Sequence, residues 1–268
     1  MAKDHNRGLA VITGASSGIG AVYADRLAAQ GYQLLLVARR ADRLKALAAD
    51  VAGKYRAHVT TLVADLEAPE DLARLAERIG EADVTMLVNN AGAGGLGPTA
   101  AAGAEDLERV INLNITALTR LSHAALAGFR ARGIGTLVNI SSIMAHAPSG
   151  GSAVYSASKA YVLNFTRSLQ LEYAASAIRI QVVMPGPIHT EFFSSQGMSE
   201  AVFSADAYLT PEQLVDAALA GLLAGEAVTI PSMVDMTPWT TLEAARIAFF
   251  KATLSGRVGQ RYVRPDHD

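Results

Sequence analysis

The sequence predicts an α/β fold, a single-domain doubly wound parallel sheet with helices on both faces. Three observations predict it. Short apolar runs alternate with stretches of helical periodicity over most of the 268 residues. Most of those runs lack polar alternation, as expected of strands covered on both faces. No internal repeat, low-complexity tract or linker interrupts the pattern, so residues 1–268 read as one domain.

The elements follow in order. Strand 9–13 (LAVIT) runs into a glycine-rich turn and a helix over 19–30. Strand 33–38 precedes a helix over 42–54, and strand 58–63 a helix over 69–79. Strand 84–89 is followed by one long helix over 105–130, strand 136–141 by a helix over 153–174, and strand 179–184 by a helix over 211–224. A short strand at 229–231 closes the sheet. Thr237 and Pro238 then supply an N-cap and a first helical residue for a stretch reaching about residue 254. In such sheets ligands bind beyond the carboxyl ends of the strands, near the switch in strand order. Every motif below falls at such an end or on the helix after it.

Composition sets outer limits. At 50% hydrophobic residues the chain can bury a large core, and its formal charge of -2 offers no electrostatic footprint for nucleic acid. The absence of cysteine excludes disulfides, thiolate metal ligands and a cysteine nucleophile, and no metal site is expected. The polar N-terminus lacks a signal-peptide apolar stretch, and no apolar run reaches the ~18–20 residues that span a bilayer. A soluble, cytoplasmic protein is expected.

The most informative segment is Tyr155-Ser156-Ala157-Ser158-Lys159, thirteen residues after Ser142. Residues four apart share a helix face, so Tyr155 and Lys159 project side by side. A tyrosine titrates near pH ~10, too high for easy proton transfer at neutrality. A neighbouring ammonium favours the phenolate and should pull that value down, making Tyr155 a general acid/base. A serine from a separate strand could hold the substrate oxygen beside it.

A nucleotide site is expected after the first strand. Gly14, Ser16, Ser17, Gly18, Ile19 and Gly20 form a GxxxGxG turn that opens a helix, whose first N–H groups can meet a pyrophosphate. After the second strand stands Ala38-Arg39-Arg40, where an NAD-preferring fold would place an acid on the ribose. Two guanidiniums there suit a 2'-phosphate through charge-assisted hydrogen bonds, so NADP(H) is expected over NAD(H). Cations at a helix N-terminus oppose the macrodipole, and a nearby anion would offset that. Asp65 and Leu66 could contact the adenine, although a helix N-cap region explains them equally. Asn89, Asn90, Ala91 and Gly92 end the fourth strand, where two amides can fix strand ends and a glycine can admit the ribose.

Taken together, TGASSGIG, NNAG, the Asn within Ile111-Asn112-Leu113-Asn114, the Ser of Asn139-Ile140-Ser141-Ser142, YSASK and Pro185-Gly186-Pro187-Ile188-His189-Thr190 closely resemble the short-chain dehydrogenase/reductase family, from about residue 8 to 190. The resemblance implies a Rossmann-type domain in which Tyr155 transfers the proton and Ser142 hydrogen-bonds the substrate oxygen. It implies that Lys159 lowers the Tyr155 pKa and holds the nicotinamide ribose, while Asn114 supports a proton-relaying water. Asn114 fits that pattern better than Asn112, and Ser142 better than Ser141. Pro185 and Gly186 would turn the backbone beneath the nicotinamide, with Ile188 beside it and Thr190 on its carboxamide. Residues 190–208 would form a substrate lid whose Phe192, Phe193, Met198 and Phe203 suit an apolar ketone, aldehyde or secondary alcohol. Those aromatics packing against the body or another subunit is an equal alternative. Met144 and His146 would border the cleft.

The resemblance also implies a homodimer or homotetramer built on helices 105–130 and 153–174. Residues 232–268 would be a C-terminal helical extension, a subunit contact or cleft cover more readily than an interfacial membrane helix. Reduction of a 3-oxoacyl thioester is the main alternative activity. A non-catalytic NADP(H)-binding protein would show a lost catalytic residue, and all four positions are filled.

Overall fold

The computed structural model describes residues 7–197 and 199–263 of the chain, so Met198 of the expected lid lies outside the described residues. These residues divide into two compact units, one ending at Ser232 and the other beginning at Met233.

In the first unit seven parallel strands form one sheet. They are β1 (Leu9–Thr13), β2 (Gln33–Ala38), β3 (Val59–Val63), β4 (Val84–Asn89), β5 (Ile134–Ile140), β6 (Ala177–Val183) and β7 (Val228–Thr229), in the order β3-β2-β1-β4-β5-β6-β7. The helices are α1 (Gly18–Ala29), α2 (Ala41–Tyr55), α3 (Pro69–Gly80), α4 (Ala104–Ile111), α5 (Leu118–Arg132), α6 (Ala153–Glu172) and α7 (Pro211–Ala224). The sheet is doubly wound, and alternation along β1 shows why. Leu9 and Val11 enter a core shared with α3 and α5, whereas Ala10 and Ile12 enter one shared with α1, α2 and α7. A strand with two buried faces is apolar at most positions. β3 departs from that expectation: as the outermost strand it leaves Thr60, Thr61 and Val63 exposed.

The order reverses at β1, which pairs with β2 on one side and β4 on the other. The turns after β1 and β4 therefore diverge and leave a crevice at their carboxyl ends. Buried amides hold the neighbouring strand ends. Asn89 Nδ2 donates to Asn139 Oδ1 at 2.9 Å and Ser122 Oγ at 3.0 Å, and Asn139 Nδ2 donates to Thr166 Oγ1 at 3.0 Å.

Two expected elements change. The single helix over 105–130 is interrupted by a π-helical turn at Asn112–Ala117, between α4 and α5. One extra residue per turn rotates the following side chains, and such turns often occur at functional sites. In the second unit, α8 spans Thr237–Ala252 with Met236 at the cap position. Thr237 is thus the first helical residue and not the N-cap. The Asp235 carboxylate accepts from its N–H at 2.9 Å, because an ionised carboxylate is the stronger acceptor at that end. No helix among the described residues is long and apolar enough to cross a membrane.

Candidate active site

The site gathers at the ends of β1, β4, β5 and β6. Ser142 follows β5 in extended backbone; its Oγ lies 3.5 Å from the Pro185 carbonyl after β6 and accepts from Met144 N–H at 3.1 Å. Tyr155 and Lys159 share the buried face of α6, as their spacing requires. The Tyr155 hydroxyl is hydrogen-bonded to Ser142. Phe192 covers the phenol from the segment after β6, with ring centroids 5.5 Å apart.

The electrostatics correct one expectation. Lys159 does not bring the Tyr155 pKa below its ordinary value. Its Nζ donates to the Ile140 carbonyl at 3.1 Å and lies 5.7 Å from the phenol ring centroid. Burial dominates both groups, because a low-dielectric site penalises the charged form of each. Tyr155 is pushed up to about 12, with the Ser142 hydrogen bond acting weakly downward. Lys159 is pushed down to about 8.

Asn114, on the π turn, is buried, whereas Asn112 is exposed. The Asn114 side chain ties the loop after β4 to α6. Its Oδ1 accepts from Ala93 N–H at 2.8 Å, and its Nδ2 donates to the Ala93 carbonyl at 2.9 Å and Ser158 Oγ at 3.0 Å. These bonds occupy both N–H groups of its amide. Gly92 passes so close that a Cβ there would sit 3.2 Å from Asn114 Oδ1 and 3.5 Å from Lys159 Nζ.

The glycine-rich turn is fastened to the end of β4. Asn90 Nδ2 donates to the Thr13 carbonyl at 2.9 Å, while Ala91 N–H donates to Thr13 Oγ1 at 3.0 Å. Gly14 has φ +66, and a Cβ on Gly20 would lie 2.4 Å from the Gly14 carbonyl oxygen, so neither position accepts a side chain. The first turn of α1 holds no acidic residue, and Ser17 makes no side-chain cap. Arg40 lies over it instead, donating to Ser16 Oγ at 3.0 Å and Ser17 Oγ at 2.6 Å. An open helix start with a guanidinium above it fits a phosphate group. Thr190 meets the same turn, its methyl 3.1 Å from where a Gly18 Cβ would be.

The remaining expected residues have partners within the chain. Arg39 points to Glu67 at 3.6 Å, away from the Arg40 cluster. Asp65 accepts from Glu67 N–H at 3.1 Å, the turn-forming alternative, and Leu66 is buried in the core. Ile188 is buried and pairs with Leu209, and Pro185 accepts from Ile143 N–H at 3.0 Å. Gly186 runs past Ser232, whose Oγ would lie 3.3 Å from a Cβ there. Phe193 is buried in an aromatic cluster with Phe203 and Tyr208, so only Phe192 of that pair reaches Tyr155. Met144 lines a cleft of about 510 Å³ with Pro148, Ala153 and Ala157, and neither Ser142 nor Tyr155 borders it.

The sequence pattern described as short chain dehydrogenase matches residues 8–201, which take in the glycine-rich turn, Ser142, Tyr155 and Lys159. The chain belongs to the short-chain dehydrogenase/reductase family. A family structure from Sphingobium yanoikuyae, solved in complex with NADPH, is 40% identical with a TM-score of 0.91, covering 95% of this chain and 100% of that one. The bulky-bulky ketone specific alcohol dehydrogenase from Comamonas testosteroni is 35% identical with a TM-score of 0.87, covering 96% and 99%. The human protein named inactive hydroxysteroid dehydrogenase-like protein 1 is 36% identical over 179 residues, 66% of this chain and 54% of that protein. The chain thus spans about half the length of that relative.

Within this family member, two residues near the glycine-rich turn escape motif reading. Arg43 and Glu191 meet each other and Arg40 there, with Arg43 Nη1 and Arg40 Nη1 each 2.7 Å from a Glu191 oxygen. Arg43 had a signal in the sequence, since it stands one helical turn beyond Arg39 and Arg40. Glu191 had none.

Proposed function

We propose that the chain is an NADP(H)-dependent oxidoreductase interconverting an apolar ketone or aldehyde and its alcohol, with Tyr155 as general acid/base. One observation carries this reading: a buried Tyr155 hydroxyl bonded to Ser142, one helical turn from a buried Lys159 and covered by Phe192. With a pKa near 12, Tyr155 holds its proton at neutral pH. It is therefore set to donate to a carbonyl oxygen as negative charge develops there, with Ser142 offering a second donor. Lys159 supplies the charge that steadies the phenolate left behind. The nicotinamide, when bound, supplies or accepts the hydride. The glycine-rich turn and Arg40 would hold its phosphates, and Gly92 and Lys159 its ribose. Support for NADP(H) comes from Arg40 at the turn and from the NADPH-bound relative; support for a ketone comes from Phe192 and the ketone-specific relative. A cytoplasmic setting and a homodimer or homotetramer belong to the same proposal.

The test is oxidation of NADPH and NADH by purified protein over a panel of apolar ketones and aldehydes, with Tyr155→Phe alongside. Turnover should fall by at least about a thousandfold in the variant while NADPH binding, followed by fluorescence, stays within about twofold. Full activity in Tyr155→Phe would sink the mechanism. The name of the human relative favours a second reading, cofactor binding without turnover. NADPH binding with no reduction across the panel would select it.

A further inference from the structure

Arg40 and Arg43 converge on one carboxylate. Arg40 Nη1 donates to Glu191 Oε2 and Arg43 Nη1 to Glu191 Oε1, each at 2.7 Å, so both carboxylate oxygens are taken. The remaining nitrogens of Arg40 donate to Ser16 and Ser17, which fixes this cluster at the mouth of the glycine-rich turn. Glu191 comes from the far end of the sheet, 151 residues from Arg40 along the chain, at the stem of the 190–208 segment. An anion from this chain thus sits on a guanidinium pair at the place where a 2'-phosphate would be read.

The arrangement is open to exchange. The three side chains are between 43% and 49% exposed, and exposed ion pairs are weak. A phosphate monoester carries about -1.5 to -2 charges and three acceptor oxygens, more than a single carboxylate offers two guanidiniums. The neighbour of Glu191 is Phe192, the residue covering Tyr155, so displacing one moves the other. Paired with two cations, the Glu191 carboxyl is held down at about 2 and stays ionised throughout the neutral range.

We propose that Glu191 is a latch opened by the 2'-phosphate: its carboxylate occupies Arg40 and Arg43 until a 2'-phosphate displaces it, which frees the stem of the 190–208 segment and with it Phe192. The latch rests on the NADP(H) reading above. It couples release of the segment to the 2'-phosphate, which NAD(H) lacks.

The experiment titrates full-length wild type and Glu191→Gln with NADPH, NADH and 2',5'-ADP, and follows hydrogen exchange of residues 190–197. Glu191→Gln should bind NADPH and 2',5'-ADP about three- to tenfold more tightly, with NADH within about twofold. In wild type, exchange at 190–197 should rise with 2',5'-ADP and not with 5'-AMP; in the variant it should be raised from the outset. Wild type that prefers NADPH, together with a variant of unchanged or weaker NADPH affinity, overturns the latch alone. So does exchange that ignores 2',5'-ADP. Wild type that binds NADH more tightly than NADPH overturns the cofactor reading and the latch with it.

Discussion

Replacing Lys159 with Met removes the buried ammonium and keeps an unbranched apolar stem. Its Nζ lies 5.7 Å from the centroid of the Tyr155 ring. At an effective dielectric of about 20, a unit negative charge on the ring at that distance is stabilised by about 3 kcal/mol. That is about a hundredfold in rate if the transition state carries the whole phenolate charge, and about tenfold if it carries half. In NADPH-dependent ketone reduction at pH 7, kcat of Lys159→Met should fall by about ten- to hundredfold. NADPH affinity is measured beside it, since a loss confined to KM would report cofactor binding alone. The pH profile gives a second readout. With its pKa pushed down to about 8, Lys159 is charged below that pH and neutral above it. Wild-type kcat should therefore decline above pH 8, toward that of Lys159→Met, which should stay flat between about pH 7 and 9. Lys159→Arg keeps its charge and should recover part of kcat without the decline. Stability should not drop in the Met variant, because burying the ammonium is itself unfavourable. A Met variant within about threefold of wild-type kcat at pH 7 would refute the electrostatic role.

Two further substitutions test the scaffold. Tyr23 on α1 is fully buried, and its hydroxyl has no hydrogen-bond partner among the described residues. Tyr23→Phe should stabilise the protein by about 1–2 kcal/mol, read as a melting temperature several degrees higher with kcat unchanged; a lower melting temperature would mean the hydroxyl is satisfied. Gly20→Ala would drive a Cβ to 2.4 Å from the Gly14 carbonyl oxygen. NADPH affinity should fall by at least about tenfold as the turn is forced open, and an unchanged Kd would remove that turn from the cofactor site.

Much of the fold was legible because each signal was local. Strands β1, β2 and β4 have the bounds their apolar runs indicate, since a strand buried on both faces is mostly apolar, and helix α7 begins at Pro211 as its sequence indicates. The π turn at Asn112–Ala117 was not legible: one extra residue in a helical ladder barely disturbs the 3.6-residue periodicity across a long helix. Thr237 and Pro238 showed that a helix begins there, but not which neighbour would cap it. Asp235, two residues earlier, takes that place with its carboxylate.

The site divides along the same line. Side-chain identity and helical spacing sufficed to bring Tyr155 and Lys159 to one face of α6. They did not reveal the sign of the Tyr155 shift, because that sign is decided by how little water surrounds the pair. Burial raises the phenol, and one Lys159 N–H is given to the Ile140 carbonyl. Arg40 shows the same dependence on distant chain. Its charge and place after β2 predicted an anion, and an anion is there, but it is Glu191, supplied by a segment that sequence reading associates with the nicotinamide and the substrate. On the proposed reading, cofactor recognition and substrate cover are joined through two adjacent residues, Glu191 on the arginines and Phe192 on the phenol. A family motif can assign each half of that connection separately. Only the three-dimensional path of residues 190–193 makes them one mechanical unit, and this is why variants at Glu191 are expected to alter cofactor selection without touching any residue of the catalytic set.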